Sequence, residues 1–356
     1  MKKIYFLSLL FLASCQYTLN QQFSSVHVED VDRFWTAYDL IKAEPDSLKQ
    51  IKLIQTLYFD QGTPGLKALI DKRKYTAEAY VEAINQFPKF WNSVRANTLK
   101  CVHYADDIET NIDKLKKVYP DLKPSSVYFT IGAMRTGGQA HKGHVLIGSE
   151  LALADSNVIC SELQPDILRE NLCSYFHSNP IDDVVLLNVH EYVHTQQGDY
   201  GEDLLSMAVF EGVAEFVSCL AAEKPSVVPA IAYGKEHAVR VRDRFEKEMF
   251  SLHWNDWLYN DFENEFGVRD LGYYVGYAIC ESFYEQADDK AAAIKEMIEL
   301  DCADHKAVKD FVAKSGYLSK DCDSLRKIYL EEKPSCLLYT SPSPRDATLS
   351  RMPSSA

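Results

Sequence analysis

The amino-acid sequence predicts an α+β protein in which helices predominate and strands form one small sheet. Three observations carry that expectation. Apolar residues recur at three- and four-residue spacing through most of the chain. Runs rich in β-branched and aromatic residues are confined to 125–134 and 144–153. No internal repeat or long linker separates the segments, so the body reads as one unit. At 356 residues, with 46% apolar and 25% charged content, the chain can bury a sizeable core.

The N-terminal part, 28–123, is read as a helical layer. The segments VEDVDRFWTAYDLIKA, DSLKQIKLIQTLYFD, TPGLKALIDKR and TAEAYVEAINQF each show a helical apolar stripe, and PKFWNSVRANTLK and ADDIETNIDKLKKVY continue it. Several open on Asp or Thr as N-cap, with Pro64 in a first turn. Phe87, Phe90 and Trp91 are expected to pack between helices. From Pro124 the character changes. The two strand-like runs read as a pair joined through RTGGQAHKG, with Gly137-Gly138 as the turn and His141 and His144 as exposed turn residues, not metal ligands. Helices follow at 181–198, closed by Gly198, and at 202–223, with further helical stretches around 234–249, 270–286, 288–301 and 305–314.

Both ends stand apart. MKKIYFLSLLFLASC has two lysines, an apolar stretch and a small-residue end, so 1–14 reads as a signal peptide. Leu12-Ala13-Ser14-Cys15 resembles a lipobox, which makes Cys15 the lipidated residue and 15–27 a flexible tether. The expected location is the cell envelope, lipid-anchored to the outer membrane and facing the periplasm, since Gln16 and Tyr17 bring no acidic export signal. At the other end CLLYTSPSPRD resembles the conceptual translation of a transposase-type sequencing adapter, so 336–356 is set aside. The core is then 124–335. No apolar run after residue 15 is expected to span a membrane. The formal net charge of −14 argues against nucleic acid as a partner, because phosphate binding needs clustered Lys and Arg.

Seven cysteines lie between the two ends: Cys101, Cys160, Cys173, Cys219, Cys280, Cys302 and Cys322. Their odd number and lack of CxxC spacing argue against a zinc ribbon or a regular disulfide framework. Cys219 and Cys280 read as core residues, and Cys302–Cys322 as a candidate bridge.

The chemistry centres on HEYVHTQQG, 190–198. Residues four apart on a helix share a face, so His190 and His194 can offer two imidazole nitrogens to one ion. Glu191 lies beside that ion, where it can take a proton from an attacking water. A catalytic zinc site needs a third protein ligand and an open position. The next helix supplies Glu211, and Glu215 one turn on, placed to hydrogen-bond a ligating histidine. Glu211 stands among Val209, Phe210, Val213, Ala214 and Phe216, where an unpartnered carboxylate is costly. Further on, DLGYYVGYAI offers Tyr274, then Tyr273, as donors to a developing oxyanion, with Tyr277 beside them; an aromatic core helix accounts for the same residues. His237 is a further candidate donor or a surface residue.

The HExxH and EGVAEF pair resembles the gluzincin arrangement of thermolysin and the one-zinc aminopeptidases, which implies a zincin core with one Zn²⁺. Zincins bind extended peptide on an edge strand above the metal. Gly132-Ala133-Met134 is similar to the start of the aminopeptidase GAMEN strand, but Arg135 stands where that motif has its amine-binding Glu. That departure favours an endopeptidase. With GTPGLKALI, FPKFWNSVRANTL, YFTIGAM and MIELD added, residues 28–320 resemble a Bacteroidota family of predicted Zn-dependent protease lipoproteins related to the gliding-motility lipoprotein GldB. The resemblance implies His190, His194 and Glu211 as ligands, Glu191 as base, and a peptide or protein as substrate. The alternative is a non-enzymatic lipoprotein of a motility or secretion apparatus with a structural zinc site.

Overall fold

The computed structural model describes residues 25–164, 166–260 and 264–332. The signal peptide, Cys15, most of the tether and the 336–356 tail lie outside them. The last residues of the expected tether do not dangle: Val26–His27 form strand β1, and Val26 is buried.

Six helices follow: α1 (Glu29–Ala43), α2 (Ser47–Ile54), α3 (Pro64–Arg73), α4 (Ala77–Gln86), α5 (Pro88–Thr98) and α6 (Ala105–Val118). Their starts are chemically marked. Asp46 accepts from Leu48 N and Lys49 N, and the Thr63 and Thr76 hydroxyls accept from Leu66 N and Ala79 N. Each cap satisfies amides that the first turn leaves without partners. Phe34, Phe90 and Trp91 are fully buried between these helices, and the Trp91 indole donates to Ala83 O at 3.0 Å.

The sheet contains β1, β2 (Ser126–Thr130), β3 (Gly138–His141) and β4 (His144–Gly148), in the order β1-β2-β4-β3. The two strand-like runs do pair, but in parallel, and the segment expected as their turn contains the antiparallel edge strand β3. The tight turn is Lys142-Gly143, both with positive φ, as a two-residue hairpin with the right-handed strand twist requires. His141 and His144 therefore face each other across a hairpin and are half-buried, contrary to the expectation of exposed turn residues.

After β2 the chain leaves the sheet. Ala133 and Met134 take positive φ, and the amides of Gly132 and Met134 donate to the fully buried Glu150 carboxyl at 2.7–3.0 Å. Gly132-Ala133-Met134 is thus a turn. The likeness to an aminopeptidase strand, and the weight given to Arg135, have no counterpart in the fold. Tyr58 and Tyr80 of the helical layer both donate to Ile131 O, which ties that layer to the sheet. The boundary at 124 consequently separates two regions of sequence but not two domains.

The remainder is α7 (Ser149–Ala152), α8 (Asp166–His177), α9 (Val184–His194), α10 (Leu204–Ala222), α11 (Pro229–Glu236), α12 (Ala238–Phe245), α13 (Leu271–Gln286), α14 (Lys290–Ile298), α15 (His305–Ser315) and α16 (Cys322–Glu332). α8 lies between the second strand-like run and the helix at 181, a stretch for which no helix was expected. α10 is long and apolar enough to cross a membrane, which corrects the expectation that no segment is, but 89% of its apolar window is buried inside the protein. It crosses α13 at glycine on glycine. A Cβ on Gly276 would stand 1.7 Å from Ala208 O, and one on Gly212 2.1 Å from the Gly276 carbonyl carbon. Cys302 and Cys322 are free and buried, while Cys160 and Cys173 form the disulfide, Cα–Cα 5.6 Å. Pairing depends on which Cα atoms the fold brings within about 4.4–6.8 Å, a distance that sequence spacing does not set.

Candidate metal centre

The site is held by two adjacent buried helices. α9 presents His190 and His194 one turn apart, and α10 presents Glu211 and Glu215 likewise. His194 Nε2 lies 3.0 Å from His190 Nε2 and 3.2 Å from Glu211 Oε2, and His190 Nε2 is 3.5 Å from Glu211 Oε2. Ligands about 2.0–2.1 Å from a zinc ion at tetrahedral angles stand roughly 3.3 Å apart. The triangle fits such an ion.

The far side of each ligand is also occupied. His190 Nδ1 is 2.9 Å from Glu215 Oε2, and Glu215 is held in turn by the Ser226 hydroxyl at 2.5 Å. His194 Nδ1 is 2.6 Å from Gln197 Oε1, whose amide donates to Phe210 O at 3.0 Å. With acceptors on both Nδ1 atoms, these carry the protons, and both Nε2 lone pairs converge on Glu211. Three ligand atoms this close can hold a metal ion between them. Burial opposes charging His190, but Glu211 and Glu215 outweigh it and push its pKa up to about 10. Burial likewise opposes the Glu211 carboxylate, and His194 and His190 hold it far below the usual range. The group asks for positive charge that a divalent ion can supply. Among the described residues it is also the one His/Cys/Asp/Glu cluster close enough to hold a metal.

Glu215 therefore takes the supporting position expected of it. Gln197 was in plain view in HEYVHTQQG but was not assigned. α9 stops at His194, one turn before Gly198, and this lets the chain bend Gln197 back under His194.

Glu191 follows His190 on the cleft side of α9. A Cβ on Gly138 would stand 2.9 Å from Glu191 Oε1 and 2.9 Å from Leu187 Cδ1, so the edge strand approaches the helix closely because residue 138 has no side chain. Glu191, His194 and Glu211 line a cleft of about 400 Å³ whose walls also include the residues of β3, Trp254 and Tyr259.

Of the two expected tyrosines the fold brings Tyr273, and not Tyr274, beside the ligands. Tyr274 packs its ring against Gly234 and pairs with Tyr317, away from the ligands. Tyr273 is buried with its ring 6.2 Å from His190, and neither it nor Tyr277 lines the cleft. Two other tyrosines, Tyr200 and Tyr259, do line it, and the Tyr259 hydroxyl donates to Glu211 Oε1. Its backbone is left-handed, φ 57°, and its amide donates to Asp270 Oδ1 at 2.6 Å, a residue itself at φ 62°. Positive φ at two non-glycine residues is costly and persists where the surroundings over-determine it. No spacing in the sequence marks Tyr259, which sits in a loop 48 positions from Glu211. His237 is exposed against the Tyr233 ring, a surface residue.

No protein-family model matches the chain, and no curated protein or solved structure proved similar to it.

Proposed function

We propose that the chain is a zinc-dependent peptidase carried on an exported lipoprotein. The observation that carries the reading is Glu191, a carboxylate facing a cleft beside a convergent His/His/Glu group and against an edge strand. A site serving stability alone has no use for that carboxylate. When held by His190, His194 and Glu211, a zinc ion supplies Lewis-acid chemistry: it lowers the pKa of water and polarises a carbonyl.

The residues around it supply the rest. β3 offers unpaired backbone to an extended peptide and lays the scissile bond beside Glu191. Glu191 takes a proton from the attacking water as its oxygen adds to the carbonyl carbon. It passes that proton to the amide nitrogen as the C–N bond breaks. Tyr259, which also lines the cleft, turns its one O–H from Glu211 to the oxyanion as negative charge develops on the carbonyl oxygen. We favour cleavage within a chain, because β3 leads away from Glu191 and offers backbone to residues beyond the scissile bond. The Cys160–Cys173 disulfide suits an oxidising compartment outside the cytoplasm, and so supports export through the N-terminal segment.

Metal analysis and a peptide library test the reading together. The purified protein should hold about one zinc per chain and cleave library peptides. Glu191→Gln should keep the zinc and lose hydrolysis by on the order of 10³-fold or more. Stoichiometric zinc with no hydrolysis across a broad library would favour the structural-site alternative.

A further inference from the structure

The walls of the cleft beside Glu191 are unevenly charged. Lys72 and Arg73, from the last turn of α3, and Lys142, from the turn of the β3–β4 hairpin, line it where those elements meet. Arg73 is anchored there, its Nε donating to Thr136 Oγ1 at 2.9 Å just before β3. Asp199 and Glu202 bring the opposite sign, on the loop that follows α9. Cations in the last turn of a helix answer its dipole, but Lys142 belongs to another element and joins them across the fold. A cavity of about 260 Å³ behind His190, lined by Leu186, Leu187 and Glu215, shares no residue with the cleft. The cleft's own walls therefore decide what lies beside Glu191.

The sheet decides which substrate side chains meet those cations. Side chains alternate between the two faces of a strand. Gly138 and Ala140 of β3 lie on the face packed against α9, where a Cβ at 138 would touch Glu191 and Leu187. Gln139 and His141 lie on the other face, which packs against α3. The His141 ring is 4.0 Å from the Asp71 carboxylate of α3. Tyr128, in register with Gln139 through Leu146, would stand 2.1 Å from a Cβ on Gly65 of α3. Directly opposed residues on neighbouring strands share a face. A peptide paired along the free edge of β3 therefore turns alternate side chains towards α3 and its cations. The positive field reaches that face. Lys142 and Lys74, bonded to Asp71 at 2.6 and 3.2 Å, hold its carboxyl down to about 2. Burial lowers the pKa of His141, and Lys72 and Lys142 lower it further.

We propose that the cleft is built for acidic peptides: it takes Asp or Glu at alternate positions of the substrate strand, on the α3 face, where Lys72, Arg73 and Lys142 meet the carboxylates. The proposal rests on the peptidase reading and names its substrate class. The net charge of −14 repels acidic peptides at long range, so a preference for acid reports this local arrangement.

Two measurements test it. Cleavage of a peptide library by the wild-type protein should favour Glu over Lys by about tenfold or more at one position beside the cut, and again two residues further on. Lys72→Glu should lower that ratio at least about tenfold, whereas Lys49→Glu, the same charge change on exposed α2, should leave it as it was. Raising the ionic strength from about 0.05 to about 0.5 M should shrink the wild-type ratio, because exposed charges are screened. Cleavage with no acid preference, a preference for Lys or Arg at those positions, or the same ratio in both variants would overturn the assignment. Fluorescence anisotropy with the Glu191→Gln protein needs no turnover. A labelled Glu-Val repeat, with every carboxylate on one face of the strand, should bind about tenfold more tightly than a Lys-Val repeat. It should also bind about threefold or more tightly than a Glu-Glu-Val-Val repeat of equal charge, which breaks the alternation. Lys72→Glu should cancel the first difference. If nothing is hydrolysed yet the three peptides are ranked in this order, the peptidase reading fails and the acidic groove stands. Equal binding of the Glu-Val and Lys-Val repeats rejects the groove, and equal binding of the two acidic repeats rejects the alternate-face assignment.

Discussion

Gln197 Oε1 lies 2.6 Å from His194 Nδ1, and the same side chain is fixed through its amide to Phe210 O. One glutamine just beyond the end of α9 thus links a ligand histidine to the backbone of the helix that carries Glu211. The angle between the two ligand helices and the ring orientation of His194 are set together. Gln197→Ala should weaken zinc binding by ~10–100-fold with little change in thermal midpoint of the metal-free protein, measured by competition with a chromogenic chelator. Gln197→Glu, which keeps an acceptor, should retain most of the affinity.

Tyr259 separates two roles that a single activity assay would merge. If its hydroxyl serves the oxyanion, Tyr259→Phe should lower kcat by ~10²–10³-fold at saturating zinc, with KM nearly unchanged. If it acts only by orienting Glu211, excess zinc should restore the rate. Tyr274→Phe, on a residue turned towards Gly234, should leave kcat within about twofold of wild type.

The α10–α13 crossing should be intolerant of a single methyl group. Ala is the better helix former by about 1 kcal/mol, yet Gly276→Ala places a Cβ 1.7 Å from Ala208 O, and forced overpacking costs ~1–3 kcal/mol or more. Gly276→Ala should therefore lower the urea midpoint. Gly198→Ala, which would meet nothing within 4 Å, should not.

Glu150 makes stability depend on pH in a definable window. Burial raises its pKa from 4.5 to about 7, against the Gly132 and Met134 amides that favour the charged form. Between about pH 4.5 and 7 the folded state keeps a proton that the unfolded chain has released. Its contribution is thus complete below pH 4.5 and is lost as pH rises through 7. Glu150→Gln, which can still accept from both amides, should gain on the wild type by roughly 1–3 kcal/mol between pH 5 and 8 in urea titrations. A stability difference independent of pH would show that Glu150 does not titrate in this range.

The Cys160–Cys173 bridge closes a short loop, at a sequence separation of 13. Its removal as a double serine variant should cost about 2–4 kcal/mol, seen as a lower thermal midpoint that a reductant no longer changes. Reductant should lower the wild-type midpoint by a similar amount.

Much of this was legible in one dimension because the forces involved are local. Helical spacing with Asp46, Thr63 and Thr76 as caps located the N-terminal helices to within a residue or two, since a cap bonds amides only two or three positions away. His190, His194, Glu211 and Glu215 were equally readable, because a four-residue spacing on a helix fixes a common face whatever the helix packs against. The apolar setting of Glu211 signalled that it needed a partner.

What only the tertiary structure decided depends on approach between distant segments. The edge strand β3 was hidden in a polar, glycine-rich stretch because its partner β4 and its contact with α9 define it, and its own composition does not. Gly138 serves close approach to Glu191, and the tight turn falls five residues later. Tyr259 meets Glu211 because a loop, free of helical periodicity, carries it there across 48 positions. The disulfide joined Cys160 to Cys173 instead of Cys302 to Cys322 for the same reason. Helical periodicity and caps act over a few residues, so the sequence by itself determined the helices and the face that bears the ligands. The Tyr259–Glu211 contact, the edge strand and the cavity behind His190 arise from packing between segments far apart in the chain, and that packing was set only by the fold.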